Sequence, residues 1–162
     1  SEASGADSIA TGTDSKASGA NAIAMGTGAQ AMGKNTISIG MRNKVIGENS
    51  GAIGDPTILE NVNDVYAMGN NNFIQGGGKA ADKTARDIFA IGNNIGSDTK
   101  KVTDKANGSV ILGSNGYSNV QNGVALGYGS NVDRGALADK TSAYNGNDKG
   151  VQDTIKGTYG AV

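Results

Sequence analysis

The sequence predicts an all-β protein, a parallel β-solenoid of about 14 residues per coil, and three observations lead there. Closing glycines fall at Gly12, Gly26, Gly40 and Gly54, each 14 residues after the last. Asp7, Asn21, Asn35 and Asn49 stand five residues before them in the same phase. Two more columns, Ala3, Ala17, Ala31, Val45 and Gly5, Gly19, Gly33, Gly47, keep the same step. Four columns in phase over four periods do not arise by chance.

Each element of the coil follows from local chemistry. In ANAIAMG, Ile23 and Met25 alternate with Ala22, Ala24 and Gly26, which is the period-two mark of a short strand. The second half of the period, such as 27–33, carries a shorter strand around the Ala or Val column. Gly and Asn at fixed offsets provide the turns, because both tolerate positive φ. Two short strands and two turns make one coil, and coils stack at roughly 4.8 Å. The phrase then continues with insertions: VYAMG closes at Gly69, one residue late, IFAIG at Gly92, SVILG at Gly113 and GVALG at Gly127. That makes about eight copies, with enlarged coils at GGGKAADKTAR (76–86) and SDTKKVTDKAN (97–107). Eight or nine coils predict a rod section of about 40 Å.

A coil this small has room for only one or two medium side chains, so Ile, Val, Met and Leu are expected inside. Ala, Ser and Gly are then expected on the opposite face, which either meets solvent or packs closely against another rod. So thin a monomer buries little surface, and self-association is expected.

The 162 residues include 27 Gly, 1 Pro, no Cys and no His, and 36% are hydrophobic. Low hydrophobicity could mean disorder, but disordered chains usually carry a large net charge, and here it is only -1. That balance gives no reason to expect nucleic acid or a strongly anionic membrane as partner. Absent cysteine removes disulfides and thiolate chemistry without identifying a compartment. No run approaches the roughly 20 apolar residues of a membrane span, and no signal peptide is visible. Ser1 falls in mid-repeat and Val162 ends the chain without a polar cap, so a piece of a longer protein is expected.

DSIATG, NAIAMG, NTISIG and GVALG in a 14-residue frame resemble the YadA-like head repeats of trimeric autotransporter adhesins. The resemblance covers residues 1–132, with the insertions near 76–86 and 97–107 lying outside the plain repeat. The tail, 133–162, resembles the segment that leads toward a neck and stalk. It implies a left-handed parallel β-roll, a homotrimer, and display outside the outer membrane of a Gram-negative bacterium through an anchor elsewhere. It makes the small-residue face a candidate trimer interface. It also implies adhesion to host extracellular matrix, host cells or other bacteria, through protein or glycan ligands. Four residues depart from the pattern: Gly51 where an aliphatic is expected, Ile111 where Ala is usual, and Tyr66 and Phe89 in place of the first aliphatic.

Enzymatic chemistry is poorly served. There is no His, the 15 acidic residues are scattered, and the serines have no activating base. Pairs such as Asp82 with Asp87 read as solvated surface charge. GTG at 26–28 never continues into a phosphate loop. Calcium-binding β-rolls repeat about every nine residues with an obligatory Asp, and Asn70, Asn71 and Asn72 read as turn residues or a ladder, not ligands. Hexapeptide acyltransferases have coils near 18 residues and normally a catalytic His. No cofactor, no metal and no catalytic residue are expected.

What remains is recognition. The first insertion carries Lys79, Lys83 and Arg86 against Asp82, and the second Lys100, Lys101 and Lys105 against Asp98 and Asp104. These six cations are the candidate ligand-binding residues, although a charged insertion is ordinarily a solvated loop. Phe73, Tyr117, Tyr128 and Tyr144 are candidate anchors, with internal packing or subunit contact as the alternative. The rival functions are a passive spacer in a surface fibre and an ice-binding solenoid. The second needs one regular Thr column, which Thr11, Thr13, Thr27 and Thr36 do not make.

Overall fold

Short alternating phrases have become short strands wound into a parallel β-solenoid of about nine turns, about 14 residues each, in a computed structural model. The structure describes residues 1–78, 83–97 and 99–133. One wall stacks β1 (Glu2–Ala3), β3 (Lys16–Ala17), β5 (Gln30–Ala31), β7 (Lys44–Glu48), β9 (Thr57–Asn63) and β11 (Asn72–Gln75), with β12 (Ala85–Arg86) also pairing to β9. The facing wall stacks β2 (Ile9–Thr11), β4 (Ile23–Met25), β6 (Ile37–Ile39), β8 (Gly51–Ile53), β10 (Tyr66–Met68), β13 (Phe89–Ile91), β14 (Val110–Leu112) and β16 (Val124–Leu126). A small third sheet pairs β15 (Tyr117–Ser118) with β17 (Asn131–Val132). Every pairing is parallel, and equivalent residues stand directly above one another, as in Ile9↔Ile23↔Ile37 and Ala24↔Ser38↔Ala52.

The turns use the residues that the sequence predicts. Asp7, Asn21, Asn35, Asn49, Asp64, Asp87 and Asn122 all sit at φ between 49° and 56°, a left-handed conformation that Asn and Asp tolerate best among non-glycine residues. Their side chains also stack: Asn21 Nδ2 donates to Asn35 Oδ1 at 3.0 Å, and Asn35 Nδ2 to Asn49 Oδ1 at 2.9 Å. Asn71 does the same with Asn94 Oδ1 at 2.7 Å, and Asn70 Oδ1 accepts from the Asp55 N–H at 2.9 Å. These asparagines are ladder and turn residues.

On the second wall the two faces of the alternation are reversed from expectation, whereas elsewhere Val45, Leu59, Val65, Ile74, Ile88 and Ile95 lie inside as expected. Ala22, Ala24, Ala29 and Ala31 are fully buried, whereas Ile9, Met25, Ile53 and Met68 stand 42–53% exposed. The small residues line the lumen, and the large aliphatics of the second wall point outward. In the N-terminal coils the inward positions belong to alanines such as Ala22, Ala24, Ala29 and Ala31, and the larger residues that alternate with them are left outside. The small-residue face is therefore the monomer's own core, not a surface open to another rod.

Larger inward residues occur toward the C-terminal coils. The coil of Ser109, Ile111, Gly116 and Ser118 places its one large side chain among three small residues, all buried. A methyl group on Gly116 would lie 2.7 Å from Ile111 Cγ2. The next coil toward the N-terminus spends its space on Ile88, Ile95 and Val102 around Ala90. Buried Asn43 is satisfied by the backbone: its Nδ2 donates to the carbonyls of Ile39 and Gly54 at 2.7 and 2.9 Å, and its Oδ1 accepts from Thr57 N at 2.6 Å. Buried Asn72 accepts from Ile95 N at 2.9 Å, and its Nδ2 has no partner among the described residues.

The late closure at Gly69 has a local cause. Ile46 pairs with Glu60 but Gly47 pairs with Val62, so Asn61, at φ 52°, is an extra residue bulged out of β9. The insertions rejoin the stack rather than leaving it. Ala85 registers with Val62, Val102 bridges to Ile74, and Ala85, Val102 and Ala106 are completely buried.

Candidate functional site

Two surfaces distinguish this solenoid. On the second wall, the strand triplets expose one outward column of Ile9, Ile23, Ile37, Gly51, Tyr66, Phe89, Val110 and Val124. The other outward column runs Thr11, Met25, Ile39, Ile53, Met68, Ile91, Leu112 and Leu126. Thr11 is its one polar member, so a nearly unbroken apolar ribbon covers eight strands. Contiguous exposed apolar surface of this kind marks an interaction site. The outer side of the first wall is mixed, with polar residues beside Ile58 and Phe73. There Lys44 Nζ meets Glu60 Oε1 at 2.5 Å, Gln75 Nε2 donates to Glu60 Oε2 at 2.7 Å, and Lys101 Nζ donates to Gln75 Oε1 at 2.5 Å.

The second surface is built by the insertions. Thr103 caps a 3-10 turn, Asp104–Ala106, and buried Ala106 pins that turn to the stack. The Gly77 N–H donates to Asp104 Oδ1 at 3.0 Å, so one insertion is hydrogen-bonded to the other. Between them lies an open groove of about 600 Å³ lined in part by Lys83, Lys100, Lys101, Asp104, Lys105 and Tyr117. The Lys100 ammonium sits 4.1 Å from the centre of the Tyr117 ring, within cation–π range. Burial, and secondarily the Asp133 carboxylate, raise the Tyr117 phenol above its ordinary value of 10.0.

Of the six cations expected to bind ligand, the structure brings four together: Lys83, Lys100, Lys101 and Lys105. Arg86 lies on β12, its N–H donating to Asn107 Oδ1 at 2.8 Å, and it is not among the residues lining the groove. Lys79 lies outside the described residues, as do Asp82, Asp98, Tyr144 and the tail from 134 on. Of the aromatic anchors, Tyr128 is 82% exposed, while Phe73 is half-buried on β11. The groove's Thr99, Thr103 and Asn119 carried no sequence signal, because isolated hydroxyls and amides are everywhere in this chain. Among the described residues no helix is long and apolar enough to cross a membrane.

The comparisons agree with this architecture. The family model described as YadA head domain repeat matches in two copies, residues 3–29 and 17–43. Among curated proteins none matches the chain. The overlapping copies are offset by 14 residues, the coil length found in the structure. The two matches cover residues 3–43 of the 162, and over those coils the chain is similar to the YadA head domain repeat.

Proposed function

We propose that this chain is the head section of a bacterial surface adhesin, working as a homotrimer that attaches multivalently to host extracellular matrix, host cells or other bacteria. The reading places it on a fibre outside the outer membrane of a Gram-negative bacterium, with the solenoid wound left-handed. The observation that carries it is the apolar ribbon. Ile53, Tyr66, Met68, Phe89 and Ile91 are each 39–45% exposed on one wall of the coil. Each large side chain withdrawn from water there is worth roughly 1 kcal/mol or more, summed along eight strands in every copy. The number three follows from the repeat family, and the one-sided apolar wall gives each copy a face to turn toward a common axis. A non-enzymatic role fits the YadA head repeat and the solenoid. Weak contacts repeated by three copies would combine into avidity.

The test is attachment. Bacteria displaying the chain should adhere to matrix-coated surfaces or epithelial monolayers, and the same strain without it should not. Replacing Lys83, Lys100 and Lys105 by glutamate leaves the buried Ala85, Val102 and Ala106 in place, which deleting the insertions would not. Equal adherence with and without the displayed chain would favour a passive spacer.

A further inference from the structure

The insertions are separated in sequence by β13, yet they close on a single groove, and its composition has a direction. Among the described residues, Lys83, Lys100, Lys101 and Lys105 line it with one acidic residue, Asp104. The Asp104 carboxylate accepts from the Gly77 N–H, and the Lys101 ammonium is held by Gln75 Oε1. Beyond Tyr117 lies an adjoining concavity of about 250 Å³, lined among the described residues by Asn94, Gly96, Ser97, Asn115 and Gly116. Lys100 and Tyr117 border both. A lysine-rich compartment therefore adjoins an amide-rich one, with an aromatic ring between them.

We propose that this double groove binds an anionic oligosaccharide in which charged and uncharged sugar units alternate. The inference rests on the adhesin reading and names the ligand class for it. Sulfate or carboxylate groups of the charged unit meet the lysines, compact point charges that need no bidentate geometry. Hydroxyl and amide groups of the neutral unit meet Asn94, Ser97 and Asn115, which both donate and accept. The apolar face of a sugar ring packs on Tyr117, an aromatic with a polar tip suited to a half-wet site. A uniform polyanion such as nucleic acid fits poorly. The chain's net charge is -1, which gives no long-range attraction to a polyanion. An exposed lysine contact contributes little alone, hence the need for several in one groove and for repetition over three copies.

Binding of the full chain to four immobilised probes tests this: a heparin hexasaccharide, a hyaluronan hexasaccharide, neutral dextran and polyglutamate. The expected result is binding of either or both hexasaccharides, at least tenfold tighter than dextran or polyglutamate. Preference between the two tells sulfate from carboxylate recognition. Lys100→Glu with Lys105→Glu should weaken it at least tenfold, Tyr117→Ala several-fold, and Lys34→Glu, on a distant exposed turn, not at all. Circular dichroism confirms that each variant is folded. Polyglutamate binding as tightly as the hexasaccharides, Tyr117→Ala binding unchanged, or no hexasaccharide binding would overturn the proposal. The two readings fail separately. Adherence of displayed chain that survives Lys100→Glu with Lys105→Glu sinks the glycan groove alone. Hexasaccharide binding by purified chain that confers no adherence sinks the adhesin reading alone.

Discussion

The ring of Tyr66 lies over Gly51: a methyl group built on Gly51 would stand 3.0 Å from Cδ1 and 3.1 Å from Cε1. Both residues belong to one outward column, in direct register, and both depart from the repeat's aliphatic habit. The two departures are one feature, an oversized side chain resting in the space that its neighbour vacates.

That pairing predicts coupling. Gly51→Ile alone should push Tyr66 aside and roughen the apolar ribbon, whereas Gly51→Ile with Tyr66→Ile should restore the regular column. The double mutant should be more stable than the sum of the singles by about 0.5–3 kcal/mol, read from thermal melts. Strict additivity would show that the contact does not matter.

A similar trade operates inside. Ile111→Ala should destabilise by about 2–5 kcal/mol through the cavity that it leaves, and Gly116→Ala should also destabilise by crowding Ile111 Cγ2. Combining them should recover part of the loss, because the added methyl moves into vacated space. Denaturant titration of the three variants checks this.

Glycine matters where coils touch. Gly26, at φ 120°, would drive a Cβ into the backbone of Gly40 in the next coil, whereas Gly129, at φ 68°, has nothing within 4 Å of that position. Gly26→Ala should therefore lower the melting temperature steeply or prevent folding, and Gly129→Ala should cost only about 1 kcal/mol for its left-handed backbone.

Alkaline titration isolates Tyr117. Its phenol is neutral in the fold to a higher pH than in the unfolded chain, so folding gains stability from it below pH 10 and loses that gain as pH rises from 10 through the raised folded value. Ultraviolet difference spectra should show a tyrosine ionisation above pH 10 that Tyr117→Phe removes.

The fold was legible because the 14-residue phase is carried by residues with one physical job each, left-handed turns at Asn21 and Asn35 and close approach at Gly26. The face assignment was not. Alternation tells that Ile23 and Met25 share a side, but not that Ala22 and Ala24 are the ones turned to the lumen. Asn61 was hidden because a bulge shows in sequence as one late glycine, with no sign of which residue is extra. The lysines of the groove were visible, but their meeting depends on Ala85 and Val102 docking back into the stack. Short buried residues inside a charged insertion give little warning of that.

The central claim is that the outward aliphatic ribbon is the face through which copies assemble. Light scattering coupled to size exclusion, over a wide concentration range, tests it on the wild-type chain and on Ile53→Lys with Ile91→Lys. The account predicts a mass near three times 16.2 kDa for the wild type and a folded monomer for the variant. A wild type monomeric at every concentration, or a variant still trimeric, would contradict it.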